Sequence, residues 1–388
     1  MQITKALIYF VLIGIALSSC IERYYLDSDR ELNPRLVVDA TITNDGGEQK
    51  IVISWSADPE FAIFQPVSGC VVRVEDKQGN QLYFNESTGS GEYRAIIGDQ
   101  YLRTGSEFRL LIDLPDGEQY VSRFEKMLPC PPIESVYYEL ESKPTNDPNI
   151  NEEGAQFYID LNAGDSYGRF FRWKLQETWE YHSSFPITRY LDEEGWHNYG
   201  EDYSFYTCYR TEDIKKLFLL STRGLKDNSY EMFPLHFVND HTQRLKHQYS
   251  LLVKQYSLTE EAWSYWEKLR KNNQESVDMF GKQPVSVRGN IFNAKDSLET
   301  ALGYFSVSSV SSKRIQVDGI EDLHFYELPV CAVTLEKDME ELPDEDDFPA
   351  YFTQVPDENQ KLEWGYANSG CFICTMHGGT LEKPSYWE

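Results

Sequence analysis

From residue 34 onward, short runs of alternating apolar and polar residues are separated by turn signals, the period-two signature of half-buried strands. Leu36-Val37-Val38-Asp39-Ala40-Thr41-Ile42 and Lys50-Ile51-Val52-Ile53-Ser54-Trp55 flank Asn44-Asp45-Gly46-Gly47, a hairpin turn. Cys70-Val71-Val72-Arg73-Val74-Glu75 leads through Gln78-Gly79-Asn80 into Leu82-Tyr83-Phe84, and residues 108–114 and 120–124 flank the turn Pro115-Asp116-Gly117. Strands this short, roughly 8–12 residues apart, predict an antiparallel β-sandwich over residues 34–128.

Pro129-Cys130-Pro131-Pro132 cannot continue a central strand and sets the expected domain boundary. Strand patterning resumes at residues 156–161 and 170–176, where Phe171, Trp173 and Leu175 share one face. The clearest helix is expected over 258–272, from Leu258, Ala262, Trp266 and Leu269, with Ser257 and Glu260 as a capping box. More strands are expected near 245–256, 304–308 and 314–317. The chain thus reads as mostly β, with a larger β-rich C-terminal domain (129–388) that carries at least one packed α-helix.

The first residues follow a different pattern. Lys5 precedes an uncharged run over residues 6–17, and the chain turns polar directly after Cys20. The run is shorter than the roughly 20 residues a spanning helix needs and reads as the apolar core of a signal peptide. Leu17-Ser18-Ser19-Cys20 resembles a bacterial lipobox, which makes 1–19 a lipoprotein signal peptide, Cys20 the lipidated first mature residue and 20–33 a tether. The expected membrane attachment is through this lipid anchor, without a spanning segment. Six cysteines remain (Cys70, Cys130, Cys208, Cys331, Cys371 and Cys374), an even number suited to disulfides in an exported, oxidising setting. Their pairing is open. Cys371-Phe372-Ile373-Cys374 fits two separately bridged cysteines better than a redox pair, because Gly378-Gly379 follows too soon for a good helix. It also lacks the second C-x₂₋₄-C of a Cys₄ zinc site.

Composition narrows the partners. With 36 Lys+Arg against 63 Asp+Glu the formal charge is −27, and no basic stripe gathers to bind phosphates, so nucleic acid is not an expected partner. Acidity of this size also favours holding to a membrane by lipid over holding by charge. Hydrophobic residues at 41% and aromatics at 14% exclude a disordered acidic tail.

The sequence lacks G-x-S-x-G, H-E-x-x-H, Walker A and G-x-G-x-x-G, and no catalytic residue or cofactor is expected. His377-Gly378-Gly379 reads as a glycine turn. His236, His241 and His247 lack the i, i+4 spacing of a helical metal pair, so no metal site is expected from them. The acidic stretch 336–347 reads as a solvated loop; weak Ca²⁺ binding or docking of a basic partner are its alternatives. Rigid amphipathic rings in a stretch without clean periodicity are the candidate partner-binding residues: Trp179, Tyr181, Tyr190, Trp196, Tyr199, Tyr203 and Tyr206.

Several segments together resemble a known family. They are the lipobox, Pro34-Arg35-Leu36-Val37-Val38-Asp39-Ala40, Tyr249-Ser250-Leu251-Leu252-Val253-Lys254-Gln255-Tyr256, and Gly289-Asn290-Ile291-Phe292-Asn293. To these are added Leu302-Gly303-Tyr304-Phe305-Ser306 and a terminal pattern from Cys371 and Cys374 through Gly378-Gly379-Thr380 to Tyr386-Trp387. The chain resembles a Bacteroidota outer-membrane lipoprotein family of unknown function, often encoded beside SusC-like TonB-dependent transporters. The resemblance implies an immunoglobulin-like N-terminal β-sandwich and transfers no catalytic residue. It implies an outer-membrane, lipid-anchored protein, on the cell surface rather than the periplasmic face. Its role would be that of a non-enzymatic accessory or ligand-binding subunit of a SusC-like barrel. An accessory of an outer-membrane protein assembly or export complex, and a glycan or peptide hydrolase, are the alternatives.

Overall fold

The computed structural model describes residues 34–57, 63–147, 149–275, 286–325 and 331–387; the signal peptide, Cys20 and the tether lie outside the described residues. The protein is mostly β. Its first nine strands are β1 (Leu36–Thr43), β2 (Glu48–Trp55), β3 (Gln65–Pro66), β4 (Val71–Asp76), β5 (Gln81–Ser87), β6 (Glu92–Ile96), β7 (Glu107–Asp113), β8 (Gln119–Ser122) and β9 (Glu125–Lys126). Alternation buries Leu36, Val38, Ala40 and Ile42 of β1 in one cluster with Val72 and Val74 of β4 and Phe108, Leu110 and Ile112 of β7. The sheet therefore curls over a single core, as a sandwich must.

The second region begins with β10 (Ser135–Pro144), β11 (Asn151–Asn162), β12 (Phe170–His182), β13 (Ile187–Asp192), β14 (Gly195–Asp202), β15 (Thr207–Ser221), β16 (Ser229–Asn239) and β17 (Tyr249–Ser257). Helix α1 (Glu260–Glu275) is followed by β18 (Ile291–Asn293), β19 (Leu302–Ser308), β20 (Val310–Val317), β21 (Thr334–Leu335), β22 (Ala350–Pro356) and β23 (Leu362–Ala367). A three-stranded sheet in the order β10-β11-β16 faces a four-stranded one in the order β15-β12-β17-β20. Between them Phe157 and Ile159 meet Trp173, Leu175, Leu251 and Val253. Full burial of side chains this size contributes about 1.5–3 kcal/mol each. A third, five-stranded sheet, β14-β13-β22-β23-β21, holds a smaller core around Tyr351 and Phe372.

Both edges of the first sheet come from later in the chain. Strand β18 pairs antiparallel with β8, and β19 pairs parallel with β1, from Val37 opposite Leu302 to Thr43 opposite Ser308. The first sandwich therefore draws on two stretches of chain, one before the second region and one between β17 and β20 of its four-stranded sheet. Asn290 joins the edges: its Oδ1 accepts from the Phe305 amide at 2.9 Å and its Nδ2 donates to the Phe305 carbonyl at 2.8 Å. Gly303 is required here. Its φ is +112°, and a Cβ would lie 1.9 Å from the Val38 carbonyl oxygen.

Helix α1 forms where periodicity places it, but its cap is Thr259, whose Oγ1 accepts from the Ala262 amide at 3.2 Å, in place of the expected Ser257. Ser257 completes β17 instead. The helix lays Ala262 and Tyr265 on Tyr256, Leu219 and Tyr304, and Trp266 under the Arg172 guanidinium at 3.7 Å.

Where cap and sandwich meet, Glu125 of β9 is buried. It accepts from the hydroxyls of Tyr304 at 2.6 Å and Thr259 at 3.2 Å, and from Asn290 Nδ2 at 3.1 Å. Burial outweighs these donors and raises its pKa. The folded chain then holds this proton at pH values where the unfolded chain has lost it. The stabilisation is complete below the unfolded carboxylate pKa and is lost as pH rises through the folded one. Glu125→Gln is expected to flatten that decline. Thermal midpoints of both proteins from pH 5 to 8 check it, and an unchanged slope in the variant would exclude Glu125 as the source.

Candidate functional site

The four-stranded sheet ends in a cleft of ≈ 860 Å³. Its walls come from the end of β12, residues 183–185, the start of β15, the 241–247 connection and the C-terminal segment. Aromatic rings (Trp179, Tyr181, Phe185 and Tyr206) share the lining with basic Arg210, Arg244 and Lys246, and four of the seven histidines, His182, His241, His247 and His377, reach it. The lining thus brings three cationic groups together with imidazoles, Arg210 pairing with Glu212 of the same lining and Arg244 with the buried Glu177.

Two disulfides fix the C-terminal wall. Cys208 of β15 bridges Cys374, and Cys331 bridges Cys371, so the C-x-x-C holds two separately bridged cysteines. Cys70 and Cys130 carry free thiols, which corrects their expected pairing. Cys70 is sealed in the first sandwich, and Cys130 packs at Gln255, its Sγ 3.3 Å from the Gln255 carbonyl oxygen; neither is bridged to a cysteine among the described residues. Burial raises the pKa of both thiols, which keeps them inert.

Around the bridges the backbone is tied directly. The Cys374 amide donates to the Phe205 carbonyl at 3.0 Å, and Tyr209 and Thr380 exchange amide bonds at 2.8 and 2.9 Å. Tyr181 donates its hydroxyl to the Cys374 carbonyl at 2.7 Å, and Gly379 leaves it room, since a Cβ there would lie 2.3 Å from that oxygen. The terminal Tyr386 and Trp387 dock on the sheet. The Tyr386 hydroxyl is 2.8 Å from that of Thr178, the Arg314 guanidinium lies 3.5 Å from its ring, and Trp387 meets Tyr209 edge-on.

Below the cleft Glu177 is buried and ionised. Burial opposes its charge, but His236 at 3.5 Å, Arg244 Nη1 at 2.7 and 2.9 Å and the Tyr249 hydroxyl at 2.9 Å together hold its pKa below the ordinary value. This network sets Arg244 in the cleft floor. At the open end of β12, alternation places Glu180 and His182 on one face. His182 Nε2 lies 2.8 Å from Glu180 Oε1, and its ring stacks on His247 with centroids 3.8 Å apart. Burial and the neighbouring His182 push His247 down to about 4.

The seven candidate aromatics divide. Trp179, Tyr181 and Tyr206 line the cleft; Tyr190 and Tyr199 line a second depression of ≈ 600 Å³ with Phe348 and Tyr351. Tyr203 is exposed and packs edge-on against Tyr206. Trp196 is structural, with the Arg189 guanidinium 3.6 Å from its ring and Phe352 edge-on to it. In the acidic loop, Glu336 pairs with Arg189 at 3.1 Å and Asp344 accepts from the Asp346 amide. Missed from sequence were His182, Arg210 and Arg244, which only strand pairing brings together.

These features define a mostly β protein with one packed helix and a disulfide-framed, aromatic and basic cleft at the end of a central sheet. The chain belongs to the family described as a domain of unknown function (DUF4249), whose model matches residues 21–314. The matched segment holds the β12 and 241–247 walls of the cleft, and the wall formed by residues 331–377 follows it. No curated protein matches the chain. Among solved structures it is similar to a DUF4785 family protein from Legionella pneumophila subsp. pneumophila str. Philadelphia 1, at 12% identity over 57% of this chain and 52% of that one, or about half its length. The TM-score is 0.16, too low to equate the two folds. No helix among the described residues is long and apolar enough to cross a membrane.

Proposed function

We propose that this protein is a lipid-anchored, non-enzymatic ligand-binding subunit that works beside a SusC-like, TonB-dependent β-barrel of the outer membrane. The observation that carries the reading is the cleft, whose size suits a small ligand and whose aromatic and basic lining is held rigid by two disulfides. Bridges of this kind fit an exported protein, as does the lipobox ending in Cys20. Anchored through Cys20, the chain would present its cleft near a barrel mouth, with residues 20–33 as the tether. Affinity purification of the tagged full chain from native membranes is expected to recover a TonB-dependent barrel in stoichiometric amount. Recovery of the lipoprotein alone would overturn the reading, and recovery of the outer-membrane protein assembly machinery would replace it.

A further inference from the structure

We infer that Glu180, His182 and His247 form a binding site for a divalent first-row transition metal at the rim of the cleft. One carboxylate oxygen and two imidazole nitrogens, one from each residue, lie within 4.8 Å of one another, and all three side chains are half-buried. The closest pair, His182 Nε2 and Glu180 Oε1, is hydrogen-bonded at 2.8 Å, and a small rotation opens it to the donor separation of about 3.4 Å that a tetrahedral ion with bonds of about 2.0–2.2 Å requires. His247 reaches the cleft without a hydrogen-bond partner among the described residues, and its ring is held only by stacking on His182.

The donor set of two imidazoles and a carboxylate selects Zn²⁺, Cu²⁺ or Ni²⁺ over Ca²⁺ or Mg²⁺, which prefer all-oxygen shells. Three protein ligands leave a coordination position open toward the cleft, where a donor atom of a ligand can complete the shell. The metal takes the place of the hydrogen bond between His182 Nε2 and Glu180, with His182 bound as the neutral imidazole whose N–H is on Nδ1. Outside the ligands, Trp387 Nε1–H lies 3.4 Å from the second oxygen of Glu180 and orients it. This site does not depend on a barrel partner, so it stands or falls separately from the proposed function.

Isothermal titration of the full chain with Zn²⁺ is expected to show one site per chain. His182→Ala and His247→Ala should each weaken it by about 100-fold or more, beyond the loss typical of an outer-shell change, and Trp387→Phe by about 10-fold. His197→Ala, in the β13–β14 hairpin, should leave it within about twofold. X-ray absorption of the zinc-loaded wild type is expected to show two imidazole ligands, a reading that stands even where an alanine variant fails to fold. Absence of saturable Zn²⁺ binding, binding that persists in folded His182→Ala and His247→Ala, or a spectrum without imidazole scattering would each overturn the inference.

Discussion

Cys374→Ser is expected to destabilise the C-terminal region by about 5 kcal/mol, the chain-entropy value for a closed loop of the 166-residue span between Cys208 and Cys374. The shorter Cys331–Cys371 bridge, with a separation of 40, is expected to contribute about 4 kcal/mol. Loss of the longer bridge also leaves the Tyr181 hydroxyl and the Phe205 carbonyl relying on a segment that hydrogen bonds, such as those between Tyr209 and Thr380, must tie to β15 without the covalent link. The consequence falls on the cleft, because that segment supplies one of its walls. Guanidinium denaturation of wild type and variant, followed by tryptophan fluorescence, measures the loss. Limited proteolysis should then cut residues 331–387 first. A shift below about 1 kcal/mol, with the same cleavage pattern, would show that hydrogen bonds and packing hold the wall without the bridge.

Glu177→Ala and Arg244→Ala are each expected to cost about 3–5 kcal/mol, the cost of leaving one member of a buried pair uncompensated. Removing Glu177 leaves the Arg244 guanidinium with the Thr242 hydroxyl, 3.1 Å from its Nε, and takes away the acceptor of the Tyr249 hydroxyl. Removing Arg244 leaves a carboxylate that His236 and Tyr249 alone must hold. The double variant should therefore lose well under the sum of the two. A double-mutant cycle by chemical denaturation gives the coupling directly, and strict additivity would show that the two side chains act separately. Because Arg244 lies in the cleft floor, Glu177→Ala should also weaken any ligand bound there, by displacing the guanidinium.

What was legible in the sequence is what local pattern controls. The alternation of Leu36, Val38, Ala40 and Ile42 marks β1, and the spacing of Ala262, Trp266 and Leu269 marks α1, since one face of each must be buried. The cap was misplaced by two residues because β17 claims Ser257 for its ladder with β12, opposite Phe171. Gly289-Asn290 and Gly303-Tyr304-Phe305, segments that carry part of the family resemblance, form a joint. Gly303 lets β19 approach β1, and Asn290 completes the hydrogen bonds of Phe305. The cleft was half visible. Aromatic clusters pointed to Trp179, Tyr181 and Tyr206, but Glu180 and His182 meet His247 only through the pairing of β12 with β17, a separation no local pattern encodes. Of the six cysteines expected as bridge material four form bridges, while Cys70 and Cys130 keep free thiols, a difference that depends on their packing in the fold.

The placement of β18 and β19 at the two rims of the first sheet governs the order of events during synthesis. Residues 34–122 leave the ribosome with β1 and β8 unpaired along their outer sides, and the strands that cover them end only at Ser308. From the making of Ser122 to that of Ser308, both rims lack the strands that cover them in the folded protein. The three- and four-stranded sheets of the second region draw their strands from residues 135–257 except for β20 and can form first, whereas the third sheet needs β21, β22 and β23. Residues 291–308 then return to the waiting rims. A chain truncated before residue 291 lacks both covering strands and is expected to self-associate along the open rims.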